Sequence, residues 1–463
     1  MDKFFRLKEN HTDVKTEIFA GTTTFLTMAY ILFVNPQILS LTGMDQTAVF
    51  IATVLAAVIG TLVMGLVANV PFAQAPGMGL NAFFTFTIVF GMGFTWQQAL
   101  AMVFICGLIN ILITVTKLRK MIMRAIPESL QYAISGGIGL FIAYVGLINA
   151  GFLQFLGESP IGENTGMFAK VVPSLVDFTN PNALVALAGL IITVALMLLN
   201  VKGAILLGIL LTTGIAVVTG VVPRELINFS ATNVNLGNLK HTFLKMDIPG
   251  LFADPSKILL VLTTIFAFSL TDTFDTIGTF LGTGRRSGIF DEKDLQKFEE
   301  GHGFSSKLDK ALFADATATS IGALLGTSNT TTYVESAAGI SVGGRTGLTS
   351  VVTAVLFLLS LFLLPIIGIV PAAATAPALI VVGILMAESI GKIDWEDLTV
   401  AIPAFFTLAM MPLAYSITTG ISTGFIFYCL SMIFTGKGKK VHPIMYIVTG
   451  LFILSMVLTA IVK

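Results

Sequence analysis

Three acidic residues lie inside stretches of sequence that are otherwise apolar enough to span a membrane. Asp272 and Asp275 belong to the segment ILLVLTTIFAFSLTDTFDTIGTF, and Glu335 belongs to TSNTTTYVESAAG. An ionisable side chain at membrane depth costs several kcal/mol, so such residues usually line a polar path inside a helix bundle. Next to glycine-interrupted apolar segments, these carboxyl groups predict a transporter with a binding site near the bilayer midplane.

The spacing of the two aspartates predicts that they act as a pair. A separation of three residues places Asp272 and Asp275 on one helix face, and Thr271, Thr276 and Thr279 lie close by. A carboxylate accepts hydrogen bonds from the ring N–H or amino groups of a neutral polar solute. Burial and a second nearby carboxyl group both favour the protonated form, so the pair is suited to holding a proton and releasing it when the site opens. The structural alternative is a pair of acids that accept from the backbone donors of a broken helix.

Glu335 follows a run of three threonines and Tyr333, and it precedes the small residues SAAG. This order predicts an extended polar stretch that leads into a short half-helix. Free backbone N–H groups at the start of a half-helix can hold an electronegative atom of a solute, or the carboxylate itself. The alternative, an acid that simply begins a helix, is ordinary at a water interface and unusual inside a membrane segment. We include the neighbouring Thr332 among the candidate substrate-binding residues.

A second interrupted segment, residues 76–91, offers matching chemistry. Pro76, Gly77 and Gly79 keep its backbone open, and Asn81 supplies both a donor and an acceptor. The phenylalanines that follow offer flat apolar surface suited to a planar ring. Each phenylalanine could equally contact lipid or pack against a helix, and the glycines could serve close helix packing.

The composition indicates the class of protein. The 463 residues are 55% hydrophobic and 11% charged, with a mean hydropathy of +0.90. The apolar residues fall in runs of about 20, the length at which a helix crosses a bilayer, and such runs exclude a β-barrel with its short alternating strands. The zero net charge implies no nucleic-acid partner. We therefore predict an all-α polytopic membrane protein embedded in a lipid bilayer.

The energy source for transport is constrained by what the sequence lacks. Neither GxxxxGKS nor GxxxxGKT occurs, so we expect no ATP hydrolysis by this chain and an ion gradient remains. The buried carboxylates favour H+ over Na+, although carboxylates also ligate sodium.

Cys106 and Cys429 both lie in apolar segments, where they are expected to act as small packing residues. We predict no cofactor and no metal site.

The apolar runs predict fourteen membrane spans that divide into two sets of seven. Their bounds are 18–40, 47–70, 76–91, 96–116, 128–150, 183–200, 203–222, 257–281, 310–326, 329–344, 347–369, 373–388, 397–415 and 417–435. Because seven is odd, the second set is inverted relative to the first. The interrupted segments are third in each set, which is the pattern of an inverted-repeat transporter. Most lysines and arginines then fall in loops on the side of the N-terminus, which places that terminus in the cytoplasm. A fifteenth apolar stretch, 443–462, either crosses the membrane or lies on its surface.

Four stretches resemble the AzgA-like branch of the nucleobase–cation symporter 2 family, bacterial and fungal permeases for adenine, guanine and hypoxanthine. They are AGTTTFLTMAYILFVNPQIL at 20–39, QAPGMGLNAFFTF at 74–86, SLTDTFDTIGTFLGTG at 269–284 and GTSNTTTYVESAAG at 326–339. The resemblance covers essentially the whole chain as one membrane transport domain, 1–463. It implies a seven-plus-seven inverted repeat in which spans 3 and 10 each contain a short strand that meets the substrate. It also implies a core domain at about 16–120 and 257–370 and a gate domain at about 121–256 and 371–463.

The same resemblance implies roles for individual residues. Gly79 and Asn81 are similar to the family's essential third-span glycine and asparagine, and we include both among the candidate substrate-binding residues. Asp272 and Glu335 match the acids that would contact a purine. Asp275, together with Asn81 and Glu335, would support the site or its coupling to protons.

The function favoured by these features is proton-coupled import of a purine nucleobase across the plasma membrane. The resemblance to the family favours guanine and hypoxanthine as substrates, while a preference for adenine and coupling to Na+ both stay open. A homodimer would fit the fold. Alternatives from other classes are an anion transporter, a passive channel, and a membrane-embedded enzyme that binds a divalent metal through Asp272 and Asp275. The acidic site disfavours an anion transporter, and the broken half-helices disfavour a passive channel. The lack of a second cluster of metal ligands disfavours the enzyme.

Overall fold

The computed structural model describes residues 2–116, 125–157, 171–223, 236–285, 287–291, 294, 296–298 and 306–462. Most of this part of the chain is helical. The helices are α1 (Asp2–Phe5), α2 (Val14–Met28), α3 (Ile31–Ser40), α4 (Gln46–Val63, with a π-helical extension Met64–Ala68), α5 (Met78–Ala82, with a π-helical extension Phe83–Gly91), α6 (Trp96–Val115), α7 (Glu128–Asn149), α8 (Pro181–Leu198), α9 (Ala204–Val218), α10 (Ile248–Leu251), α11 (Ile258–Thr279, with a π-helical extension Phe280–Arg285), α12 (Lys307–Leu325), α13 (Ser336–Ser341), α14 (Gly347–Leu359), α15 (Leu364–Ile367), α16 (Ala372–Met386), α17 (Leu398–Leu413), α18 (Ile417–Phe434) and α19 (Pro443–Val462). The strands are β1 (Gln74–Pro76), β2 (Leu153–Gly157), β3 (Val171–Leu175) and β4 (Thr330–Thr332), and short 3-10 turns occupy Leu236–His241, Pro255–Lys257, Ser360–Leu363, Ala387–Lys392 and Gly438–Lys440.

The apolar segments predicted from sequence form helices. Within the described residues, eight helical segments are long and apolar enough to cross a membrane, and shorter apolar helices accompany them. The predicted span 310–326 corresponds to α12, and 329–344 corresponds to β4 followed by α13. The prediction of a polytopic helical membrane protein is therefore confirmed. The number of crossings, fourteen, stays a prediction.

Two short strands pair where the interrupted spans meet. β1 and β4 are antiparallel, with Gln74 opposite Thr332 and Pro76 opposite Thr330, and both strands are buried. Pro76 cannot donate to a helix and disfavours helical geometry in the residue before it, while β-branched threonines favour extended backbone. Gly77 continues the ladder by donating its N–H to the Asn329 carbonyl oxygen at 2.9 Å. The predicted strands in spans 3 and 10 are thus present, and β1 begins two residues before the predicted start of its span.

The long helices pack in two groups. In the first group, α12 packs against α4 and α6, and α14 packs against α2 and α4. In the second group, α7 packs against α16 and α17, α17 against α18, and α8 against α9 and α16. α11 belongs by position to the first group and also contacts α7 and α18. Whether these two groups are the predicted core and gate domains, and whether they move separately, stays a prediction.

Glu17 in α2 fixes the start of α14. Its side chain is fully buried. Its Oε1 accepts from the backbone N–H groups of Arg345 at 2.9 Å and Thr346 at 3.2 Å. Its Oε2 accepts from the Thr349 N–H at 3.0 Å and the Thr349 hydroxyl at 2.6 Å. A carboxylate at this position satisfies donors that a helix N-terminus leaves unpaired.

The C-terminal stretch 443–462 forms one helix, α19, that contacts both groups. Its Phe452 ring lies 6.4 Å from that of Phe266 in α11 and 5.9 Å from that of Phe425 in α18. On the α18 side, the Cys429 sulfur lies 3.3 Å from the Thr449 hydroxyl, in keeping with the packing role expected of this cysteine. Whether α19 crosses the membrane stays open.

Candidate functional site

The paired strands are attached to α11 and α12 through hydroxyl groups. Thr276 donates to Asp315 Oδ2 at 2.9 Å, and its oxygen lies 2.8 Å from the Thr331 hydroxyl. Thr332 donates to Asp315 Oδ1 at 2.8 Å. Asp315 therefore ties β4 to two helices, and the candidate residue Thr332 belongs to this support. Sequence reasoning missed Asp315, although an aspartate inside the predicted span 310–326 was a signal that could have found it.

Asp272 is enclosed completely by protein. Its Oδ2 accepts from the Asn110 side-chain amide at 2.9 Å. The Thr319 hydroxyl lies 3.3 Å from the same oxygen and 3.0 Å from the Thr330 carbonyl oxygen. The Asn329 amide lies close enough to interact with the Asp272 carboxyl group, but Asp272 Oδ1 has no partner of hydrogen-bond geometry among the described residues. This carboxyl group is therefore half satisfied.

Asn110 is a second residue that sequence reasoning missed. It projects from α6, where it is the single amide in the apolar part of the helix, ALAMVFICGLINILITV. The Ser269 hydroxyl donates to Asn110 Oδ1. The Asn110 amide nitrogen also faces the Cys106 sulfur at 3.8 Å, and the Asn329 amide nitrogen approaches that sulfur at 3.4 Å. A polar cluster from α6, α11 and the start of β4 thus surrounds Asp272.

Asp275 and Glu335 form a more accessible part of the site. Both residues are partly exposed, and the two carboxyl groups lie close enough to interact electrostatically. The Tyr30 hydroxyl donates to Glu335 Oε1 at 2.7 Å. Asp275 makes no hydrogen bond that the described residues reveal. Tyr30, near the junction of α2 and α3, was not predicted, since nothing in the sequence relates it to a glutamate in another span.

Asn81 and Gly79 perform different tasks at the start of α5. Asn81 is fully buried, and its Oδ1 accepts from the Ser328 hydroxyl, which joins α5 to the segment before β4. Gly79 faces α7, since a Cβ at this position would lie 2.5 Å from Ile138 Cγ2. Gly79 therefore permits a close approach between the two helix groups.

Two aromatic residues in the π-helical extension of α5 have aromatic partners outside it. The Phe83 ring lies 4.5 Å from that of Phe268 in α11. The Phe86 ring lies 5.6 Å from that of Tyr415. These contacts favour the packing interpretation for both phenylalanines.

The electrostatic character of the site is acidic. Asp272, Asp275, Asp315 and Glu335 come together, and the ion pairs found in the described part of the chain all lie elsewhere. Among the same residues, no group of three or more histidine, cysteine, aspartate or glutamate side chains is placed to hold a metal ion. A neutral ligand with several N–H donors suits such a site, because carboxylates are strong acceptors.

Comparison with known proteins finds relatives along nearly the whole chain. Residues 15–423 match the model of the Permease family. The adenine permease AdeP of Escherichia coli (strain K12) is 41% identical, over 99% of this chain and 96% of its own length. The guanine/hypoxanthine permease PbuG of Bacillus subtilis (strain 168) is 41% identical, over 98% of each protein. The protein MJ0326 of Methanocaldococcus jannaschii is 46% identical, over 99% of this chain and 98% of its own length.

A solved structure has a similar fold. The transmembrane domain of the cyanobacterial bicarbonate transporter BicA matches with a TM-score of 0.58 and 18% identity, over 90% of this chain and 96% of that chain. At this identity the likeness concerns the fold alone. It supports the architecture described above.

Proposed function

We propose that this chain, which belongs to the Permease family, is a secondary active transporter that imports purine nucleobases. Family membership makes the chain a multi-pass membrane transporter and not an enzyme. The alternative of a metal-dependent enzyme built on Asp272 and Asp275 is therefore set aside.

The observation that carries the proposal is an acidic, half-satisfied site where the two broken spans meet. Asp272 Oδ1 lacks a partner in the described chain, and Tyr30 occupies only one oxygen of Glu335. A purine base carries ring N–H and exocyclic amino donors that can pair with such acceptors. It carries no charge at neutral pH, so an acidic site does not repel it.

The residue roles follow the resemblance and the geometry together. Asp272 and Glu335 accept hydrogen bonds from the base, and Thr332 and Asn81 hold the strand and half-helix that face it. Gly79 keeps α5 close to α7. Asp275, beside Glu335, takes part in coupling to protons. Asp272 is enclosed in this conformation, so the opening of the site must expose it.

Guanine and hypoxanthine are the proposed substrates, and adenine is the alternative. Guanine presents a ring N–H and an amino group side by side, and hypoxanthine presents the ring N–H, so both bases offer donors to the open oxygens of Asp272 and Glu335. The corresponding edge of adenine pairs an amino donor with a ring acceptor, which a deprotonated carboxylate satisfies less well. PbuG and AdeP, at equal identity, represent the two preferences.

The transport cycle is proposed to move a core domain, about 16–120 and 257–370, against a gate domain, about 121–256 and 371–463. Helices pack mainly within these ranges, and the Gly79–Ile138 contact lies between them. We place the protein in the plasma membrane with a cytoplasmic N-terminus. Protons are the proposed coupling ion, Na+ is the alternative, and a homodimer is compatible with this arrangement.

Uptake of radiolabelled hypoxanthine tests the proposal in cells that lack their own purine permeases. We expect uptake that unlabelled guanine competes for, that uracil and xanthine compete for poorly, and that a protonophore abolishes. Adenine as the only effective competitor would select the alternative substrate. Uptake that requires Na+ and resists the protonophore would select the alternative ion. No purine uptake despite protein in the membrane would overturn the proposal.

Two substitutions test the roles of the partly exposed acids, Glu335 and Asp275. Glu335→Gln is expected to abolish uptake without loss of protein from the membrane, because it converts an acceptor oxygen into a donor. Asp275→Asn is expected to leave purine binding within about threefold of wild type while removing the pH dependence of uptake. Unchanged pH dependence would count against a role in coupling.

A further inference from the structure

We propose that Asn110, oriented by Ser269, is a positioning residue that holds one oxygen of Asp272 and leaves the other for the purine. This inference rests on the proposed function, in which Asp272 binds the base. It adds α6, a helix with no predicted site residue, to the substrate-binding machinery.

With Asp272 ionised, the hydrogen bonds around Asn110 have one consistent assignment. The Ser269 hydroxyl donates to Asn110 Oδ1, so the amide nitrogen must face the other way. That nitrogen lies 2.9 Å from Asp272 Oδ2, and a carboxylate oxygen can only accept. Ser269 and Asp272 are three residues apart in α11, so both groups meet the amide from one helix face. The amide is thus held at both ends.

Thr319 cannot replace the hydrogen bond that Asn110 donates to Asp272. Its hydroxyl oxygen lies within reach of two acceptors, Asp272 Oδ2 at 3.3 Å and the Thr330 carbonyl oxygen at 3.0 Å. A hydroxyl group has a single hydrogen to donate, and the nearer acceptor is the carbonyl. Asn110 is therefore the secure donor to Asp272.

The second oxygen of Asp272 gives the arrangement its functional meaning. Asp272 Oδ1 is buried and has no partner in the described chain. A buried acceptor without a partner is destabilising, and this one belongs to a carboxyl group beside the paired strands β1 and β4, so we infer a ligand donor as its partner. Because Asn110 occupies Oδ2, the carboxyl group cannot turn to satisfy Oδ1 without losing its existing hydrogen bond. The geometry thus keeps one acceptor ready for the base.

Purified protein provides the test, with hypoxanthine affinity and the melting temperature without ligand as separate readouts. Asn110→Leu keeps the size of the side chain and removes the donor. We expect its Kd for hypoxanthine to rise about tenfold or more, the usual effect of losing a hydrogen bond to a charged group. Ser269→Ala releases the far end of the amide and is expected to raise Kd about fivefold, as for a neutral hydrogen bond.

A matched control is Asn35→Leu. Asn35 is also a fully buried amide, and it donates to Thr53 at 2.7 Å and to Thr327 at 2.9 Å. The same substitution there is expected to lower the melting temperature and to leave Kd within about twofold of wild type. A double variant, Asn110→Asp with Asp272→Asn, keeps one carboxylate and one amide in contact but moves the acceptor. It is expected to fold and not to bind hypoxanthine.

The outcomes separate this inference from the proposed function. If wild-type protein binds a purine and both Asn110→Leu and Ser269→Ala keep its affinity, the positioning role is wrong. Equal changes in Kd for Asn110→Leu and Asn35→Leu would also overturn it, since a purely structural effect would explain both. If Asn110→Leu does not fold, Ser269→Ala decides. If wild-type protein binds no purine, the proposed function itself fails.

Discussion

Glu17 and Asp272 are both buried completely, but their carboxyl groups are satisfied to different degrees. Glu17 accepts three backbone N–H groups and one hydroxyl group at the start of α14. Asp272 has one secure donor, Asn110, and one oxygen without a partner in the described chain. Burial is therefore the same for Glu17 and for Asp272, which is the proposed binding acid. The two differ in the number of acceptor positions left open.

The largest effect on transport is expected from Asp272→Asn. The amide keeps the volume of the side chain but replaces a carboxylate oxygen with a donor. A site built to pair with a ligand donor should then lose purine uptake by about 100-fold or more. Protein abundance in the membrane should change little, because only one existing hydrogen bond involves Asp272 securely. Normal uptake by this variant would show that Asp272 does not bind the substrate and does not differ from Glu17 in function.

Glu17→Gln should lower the stability of the protein and leave its affinity for purines almost unchanged. The amide nitrogen would face either the Arg345 and Thr346 N–H groups or the Thr349 N–H and hydroxyl, so at least one donor loses its acceptor. A buried donor left unsatisfied costs about 1–3 kcal/mol, so the melting temperature of the purified protein should fall. Kd for hypoxanthine should stay within about twofold of wild type. A large loss of affinity without a fall in melting temperature would show that Glu17 is not purely structural.

Gly79→Ala tests whether a candidate site residue acts by permitting close helix packing rather than by hydrogen bonding. The new Cβ would lie 2.5 Å from Ile138 Cγ2 in α7, and overpacking of this kind costs about 1–3 kcal/mol. We expect the rate of uptake to fall about tenfold. Adding Ile138→Ala should restore part of the rate, because it removes the methyl group that the new Cβ meets.

The matched control for this prediction is Gly214→Ala in α9, where a Cβ would meet no atom within 4 Å. It should transport like wild type. Failure of Ile138→Ala to restore uptake would mean that Gly79 serves the ligand directly.

The sequence predicts the helices and the two interrupted segments better than it predicts the contacts between side chains. Apolar runs of membrane length became helices, because the bilayer requires satisfied backbone groups in such segments. Pro76 and the threonines before Tyr333 indicated the two interruptions. The partners Asn110, Asp315 and Tyr30 were missed, because each is a single polar side chain whose neighbours come from distant segments. Glu17 precedes the first predicted span by one residue, and its burial depends on the start of α14, which is distant in the sequence.

The smallest effect is expected from Thr319→Val, which tests how few donors Asp272 needs. Valine keeps the shape of threonine and removes the hydroxyl group. If that hydroxyl donates to the Thr330 carbonyl oxygen, as its 3.0 Å distance favours, Asp272 keeps its Asn110 hydrogen bond and Kd for hypoxanthine should rise no more than about twofold. The matched variant at the other carboxylate is Thr349→Val, which removes one of four donors to Glu17 and should lower only the melting temperature. A tenfold loss of purine affinity in Thr319→Val would mean that two donors hold Oδ2, and that Asp272 resembles Glu17 more closely than its open oxygen indicates.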